Sequence, residues 1–227
     1  MTLKEFKKEL YGERVEGELL KTILYSLIFS FGLLFILYFL KLRYVDSFLP
    51  KYGFFIFFAI LSYSMILPSL RQVRAYRQFS CMPGMMIGMT SGMIAGFLPG
   101  YFIGATNGLS YGMFFGMAFG IFIGVWNGNC CGIMGIMEGL MAGFMGGLMG
   151  AMTSVMLLND NLKIASVAIF LISSWIIFSL DYMIYKEMKE NERELVEDHM
   201  LTILFSIILT AITTWLIVFG PRSVLFS

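Results

Sequence analysis

Glycine recurs at every fourth residue through the middle of this chain. Gly84, Gly88, Gly92, Gly96, Gly100, Gly104, Gly108, Gly112, Gly116, Gly120, Gly124, Gly128 and Gly132 follow without a break. Gly135, Gly139, Gly143 and Gly147 resume the interval after a one-residue slip. Collagen needs glycine at every third residue, and a flexible linker needs polar residues between its glycines. Neither fits, because the residues between these glycines are apolar. A spacing of four puts the glycines on one face of a helix. In lipid, such faces let helix backbones approach closely.

Composition says where those helices sit. Of 227 residues, 58% are hydrophobic and only 14% charged, with a mean hydropathy of +0.80. A soluble domain carries about 25% charged residues, so this chain lacks the polar surface for a water-soluble globule. The net charge of +1 offers no basic patch for nucleic acid. The expected fold is all-α: a polytopic transmembrane bundle with a central glycine-zipper-packed three-helix unit.

A bilayer-crossing helix needs about 20 apolar residues, and seven stretches qualify. They are Leu20 to Leu40, Gly53 to Leu70, Met82 to Ile103, Gly108 to Trp126, Cys131 to Leu158, Ile164 to Ile184 and Met200 to Phe219. Residues 1–19 form a charged, amphipathic N-terminal arm. Residues 20–70 hold the first helix pair, 81–158 the Gly/Met-rich core and 164–219 the last pair, with a charged hairpin at 185–199. The arm is too long and charged for a secretion signal. With seven spans, eleven of the sixteen Lys and Arg fall on the N-terminal side. The positive-inside rule then puts the N-terminus in the cytoplasm and the C-terminus outside, as in a plasma-membrane protein.

The core holds 14 of the 19 methionines. At 100° per residue, the fifth span carries its glycines on one arc. Met134, Met137, Met141, Met145, Met149, Met152 and Met156 occupy another. Gly147 falls off the glycine arc. Met85, Met89 and Met93 repeat the pattern on the third span. Thioether sulfur is a soft, neutral ligand that suits Cu(I). Spacing of four stacks sulfurs about 6 Å apart, so facing helices would offer a chain of weak sites that an ion can enter and leave. Methionine also fills the gaps that glycine faces create, and this bland reading stands beside the metal one.

Cys81, Cys130 and Cys131 fall at the cytoplasmic ends of spans three to five, where free thiols are expected. They would give a methionine ladder a tighter inner mouth. Glu138 lies inside the methionine stripe and is the one carboxylate well inside a span, so it is the candidate ion or proton ligand. Asp181 sits near an inner helix end and is expected to reach water. His199, the only histidine, lies at a loop end. Pro99 is expected to kink or end the third span, and Asn107 with Gly108 to form an outer turn.

Met85-x-x-x-Met89 beside repeated Gly-x-x-x-Gly resembles the two local motifs of the eukaryotic high-affinity copper transporter family. That resemblance covers about a dozen residues. That family works as a trimer; for this chain the resemblance implies only that Met85 and Met89 are thioether ligands. Seven spans instead of three, and no methionine-rich outer tail, depart from the family's pattern.

Three functions fit these residues. The first is a soft-metal, Cu(I)-type transporter or channel using Met85, Met89, Met93, Met134, Met137, Met141, Met145 and Met149, with the three cysteines at its mouth. The second is a glycine-packed scaffold or assembly subunit, self-associating or bound to another membrane subunit. Its packing residues are Gly84, Gly88, Gly92, Gly96, Gly112, Gly116, Gly120, Gly124, Gly135, Gly139, Gly143 and Gly147. The third is a proton-coupled or non-selective pore with Glu138 titrating. An enzyme is not expected: HExxH, paired carboxylates, a nucleophile elbow and a phosphate loop are all missing. The sequence specifies no cofactor, and Cu(I) is the candidate ion.

Overall fold

The computed structural model describes residues 15–40, 52–76, 79, 81–188 and 199–220. Among them there is no strand. Seven α-helices follow in order: α1 (Val15–Leu40), α2 (Phe54–Ala75), α3 (Cys81–Asn107), α4 (Leu109–Gly128), α5 (Gly132–Met156), α6 (Leu162–Met188) and α7 (His199–Phe219). Three-residue 3-10 turns, Asn129–Cys131 and Leu157–Asn159, follow α4 and α5. Six stretches are long and apolar enough to cross a membrane, and one of them, Leu109–Met156, runs 48 residues through α4, its turn and α5. This is the make-up of an integral membrane protein.

Several expected boundaries move. Residues 15–19, expected in the arm, are the first turns of α1. The rest of the arm, 1–14, lies outside the described residues, as does 189–198 of the charged hairpin. Residues 185–188 of that hairpin continue α6. Pro99 neither ends α3 nor marks its last turn, because the helix runs on to Asn107.

The centre of the molecule is α3, α4 and α5. Gly116, Gly120, Gly124 and Gly128 of α4 face Gly147, Gly143, Gly139 and Gly135 of α5. One series rises by four as the other falls by four, which is the register of an antiparallel pair. In the same way Gly88, Gly92, Gly96 and Gly100 of α3 face Gly128, Gly124, Gly120 and Gly116. The α3 row also touches α5, in parallel, at Gly135, Gly139, Gly143 and Gly147. A β-carbon on Gly96 would lie 2.8 Å from the Gly143 carbonyl oxygen and 3.2 Å from that of Gly116. Backbone thus meets backbone along the junction of three helices.

Two glycines of the same ladder serve a different end. Gly108, between α3 and α4, has φ 94° and ψ 173°. Gly132, at the α4–α5 turn, has φ 68° and ψ −149°. That region of backbone space is open essentially to glycine alone. These two residues reverse the chain at each end of α4. A turn was expected at Gly108, and Gly108 makes it. Gly132 is a turn residue and does not pack, since nothing lies within 4 Å of its β-carbon position.

The remaining helices wrap one side of this unit. α2 is buried along most of its length, and its Phe55, Ala59, Tyr63 and Ile66 join Ile94, Leu98, Tyr101, Phe102 and Phe119 in the main apolar cluster. A second cluster gathers one end of the bundle: Val73 from α2, Tyr76 just past its end, Phe79, Ile87 from α3, Leu180, Ile184 and Met188 from α6, with Cys130 and Cys131. The opposite end holds Tyr52, Ile56, Ile103, Ile217 and Val218. There Asn107 donates to the Leu216 carbonyl at 2.6 Å, fastening the α3–α4 turn to α7.

Candidate functional site

The site begins with which face of α5 is used up. Gly135, Gly139, Gly143 and Gly147 point at α4, while Gly146 and Gly150 meet the backbone of Met93 and Phe97 on α3. Gly147 is therefore a packing residue, although it lay off the expected arc. α5 contacts two helices at once, so its buried face is wider than one glycine row. What remains faces outward. Met134, Met137, Met141, Met145, Met149, Met152 and Met156 are all exposed, Met141 at 58%. Glu138 is exposed in the same stripe.

α3 extends this surface. Met82, Met86, Met89 and Met93 are exposed, whereas Met85 is half-buried. Gly146 lies against the Met93 backbone, and Met145 and Met149 flank Gly146 on the outer side of α5. The register therefore places the α3 and α5 methionines on adjoining outer faces. Met113 and Met117 of α4 are half-buried. No sulfur path forms between α3, α4 and α5 of a single chain. The physical reason is plain: glycine backbones fill the junction where facing methionines would have to stand.

The cysteines sit apart from that stripe. Cys130 and Cys131 lie in the α4–α5 turn and form no disulfide. Both lie against the start of α3, where a β-carbon on Gly84 would strike the Cys131 sulfur and come within 3.2 Å of the Cys130 sulfur. Gly84 therefore packs against the turn and not against a helix. Cys81 opens α3, and its side chain lies outside the described residues, as does that of His199. Among the described residues no three His, Cys, Asp or Glu side chains gather as a metal site.

Two charged groups are more buried than sequence reasoning allowed. Arg71 of α2 is only 4% exposed. Its Nη2 pairs with Glu18 of α1 at 2.8 Å, and its Nη1 donates to Thr22 Oγ1 at 3.2 Å. Arg74 lies over the Trp126 ring, 5.1 Å from its centroid. Asp181 of α6 is 9% exposed, and its Oδ1 has no hydrogen-bond partner among the described residues. Asp181 was expected to reach water and does not, because α6 runs on two turns past it and α2 covers it. Gln72 donates to its backbone carbonyl at 3.3 Å. Among the described residues the buried acid is Asp181, while Glu138 stands on the outside. A membrane carboxylate is flagged by hydropathy alone, but which of two lies inside depends on helix rotation.

With this geometry in view, comparison with protein-family models, with curated proteins and with solved structures finds no match. The fold and the surface chemistry of the chain itself carry the functional reading.

Proposed function

We propose that the protein is a seven-span membrane protein that assembles with copies of itself through its methionine face and carries a soft monovalent metal ion, Cu(I) by preference, along the methionines that then meet. α4 and α5 are two spans joined by a tight turn. The glycine zipper of α3, α4 and α5 is the rigid core that holds the methionine face in shape.

One observation carries this reading: α5 turns its glycines inward and leaves seven methionines and Glu138 outward. Lipid is a poor cover for that surface. An ionised side chain deep in a bilayer costs about 3 kcal/mol or more, and Glu138 lies six residues, roughly 9 Å, along α5. Copies related by a rotation axis along the membrane normal bring identical residues together. Glu138 then meets Glu138, and Met137, Met141 and Met145 meet their equivalents. Facing carboxylates repel unless a cation or a proton lies between them. Thioethers above and below favour a soft cation there.

The orientation follows from the same end that gathers Arg71, Arg74, Cys130 and Cys131. The excess of Lys and Arg makes that end cytoplasmic, so the thiols would receive the ion.

The test is metal content. The protein is purified anaerobically in detergent, loaded with Cu(I) under bathocuproine competition, and copper is counted per chain. Retained copper that is lost in the Met141→Leu, Met145→Leu double variant is expected. A second reading, an assembly subunit with no metal role, rests on the same exposed methionine face, which apolar packing alone can hold against a second copy. Copper content unchanged by the double variant would establish it over the first.

A further inference from the structure

A groove lies on the opposite flank of the bundle from the methionine stripe. α1, α2 and α6 line it, leaving a space of about 150 Å³ that is partly open to the outside. Its walls are apolar: Leu19, Leu20 and Ile23 from α1, Met65 and Pro68 from α2, and Ile177 and Phe178 from α6. Two polar residues, Ser174 and Asp181, complete it. The Ser174 hydroxyl is already used, donating to the Phe170 carbonyl at 2.8 Å. The Asp181 carboxyl is not, since its buried Oδ1 has no partner among the described residues.

Nearby groups do not answer that carboxyl. Gln72 directs its amide N–H to the Asp181 backbone carbonyl. The Arg71 guanidinium is held by Glu18 and Thr22. A buried carboxyl with room beside it must hold a proton or meet a cation. The cavity walls supply no other unused polar group, since Ser174 is already bonded. One carboxyl among apolar walls suits an ammonium on an apolar body. It is too little for a hard metal ion, which takes six or more oxygens.

We infer that the groove between α1, α2 and α6 binds the ammonium group of a small amphiphilic amine, with Asp181 as its counter-charge. The apolar body lies along Leu20, Ile23, Met65 and Phe178. Asp181 stands seven residues, roughly 10 Å, inside the end of α6, which suits a free amine better than a lipid headgroup.

The experiment uses the full chain in phosphatidylcholine nanodiscs and tritiated 1-adamantylamine, with unlabelled 1-adamantylamine and the uncharged 1-adamantanol as competitors. The amine is expected to displace the label at least about tenfold better than the alcohol, a gap of about 1.4 kcal/mol. Asp181→Asn removes that difference. Leu20→Trp fills the groove, keeps the carboxyl and lowers binding of the amine, so a poorly folding Asp181→Asn does not leave the question open. Equal displacement by amine and alcohol overturns the inference, as does binding that survives Leu20→Trp. A phosphatidylethanolamine-rich nanodisc leaves the label in place if the ligand is a free amine. Competition there assigns the ammonium to a lipid headgroup. The methionine variants lie on the other flank and leave this binding unchanged, so the two readings stand or fall separately.

Discussion

Glycine is the residue on which the centre of this molecule turns, and not every glycine does the same thing. Gly124 of α4 lies so close to Gly139 of α5 that a β-carbon would come within 2.8 Å of the Gly139 carbonyl carbon. That neighbour is backbone and cannot swing aside. Gly32, in α1, has nothing within 4 Å of its β-carbon position. The same Gly→Ala change is therefore predicted to act oppositely at the two sites. Gly124→Ala forces α4 and α5 apart and destabilises by about 1–3 kcal/mol, the range for overpacked cores. Gly32→Ala removes backbone freedom from the unfolded chain and stabilises by about 0.5–1 kcal/mol. Thermal unfolding in one detergent, read by circular dichroism, compares them directly. Equal losses at both sites would contradict the close backbone approach. The four-residue spacing made the packing role of Gly124 legible in the sequence. The same spacing picked out Gly147, which lies off the arc of the others and still packs, because a helix touching two neighbours buries a face wider than one row. It could not rank the acids: Glu138 stood out by its position in an apolar run, while Asp181 near Lys186 read as a helix end. Burial of Asp181 comes from the length of α6 and the cover of α2, which a single-helix pattern does not encode.

At the scale of elements, the turns matter as much as the helices. α4 is bounded by Gly108 and Gly132, and both adopt positive φ with an extended ψ. Left-handed helical turns accept Asn, but this region does not. Replacement by Asn is accordingly predicted to be no milder than replacement by Ala. Gly132→Asn and Gly132→Ala should each cost about 1–3 kcal/mol. At this site nothing crowds the added atoms, so the loss isolates backbone strain. Chemical denaturation of the two variants beside wild type provides the check, and a clear rescue by Asn would show that the turn relaxes to an ordinary left-handed bend. Gly132 read in sequence as one more rung of the ladder, since its spacing from Gly128 is the same four residues. Only its dihedral angles separate turn from packing. The other elements were readable to within a turn or so by length and hydropathy. α1 was the exception at its start: Glu18, expected in the arm, lies inside it and pairs with Arg71 of α2. A buried ion pair between distant helices leaves no local signal.

At the scale of the whole molecule, the question is what covers the outer face of α5. The bundle is lopsided: α2, α6 and α7 pack on one flank of the glycine unit, and the methionine stripe with Glu138 stays bare. Two covers are available, lipid and another copy, and they predict different proximities. If copies meet through α5, residues at Met141 and Met145 lie near their own equivalents across a rotation axis. The outer face of α6, where Ile172 is likewise exposed, would then face lipid. In a background with Cys81, Cys130 and Cys131 replaced by Ala, Met145→Cys is predicted to form a disulfide-linked dimer on mild oxidation in native membranes, and Ile172→Cys is not. A disulfide needs Cα atoms within about 7 Å, so random encounter in the bilayer contributes little on a short time scale. Adding Glu138→Leu to Met145→Cys separates two causes of assembly. If the carboxylate organises the interface by sharing a cation, crosslinking falls. If methionine packing alone holds the copies together, removing the charge leaves the yield unchanged or raises it, because apolar contact then continues unbroken down the stripe. Crosslinking at Ile172 with none at Met145 would move the interface to α6 and leave the methionines to lipid.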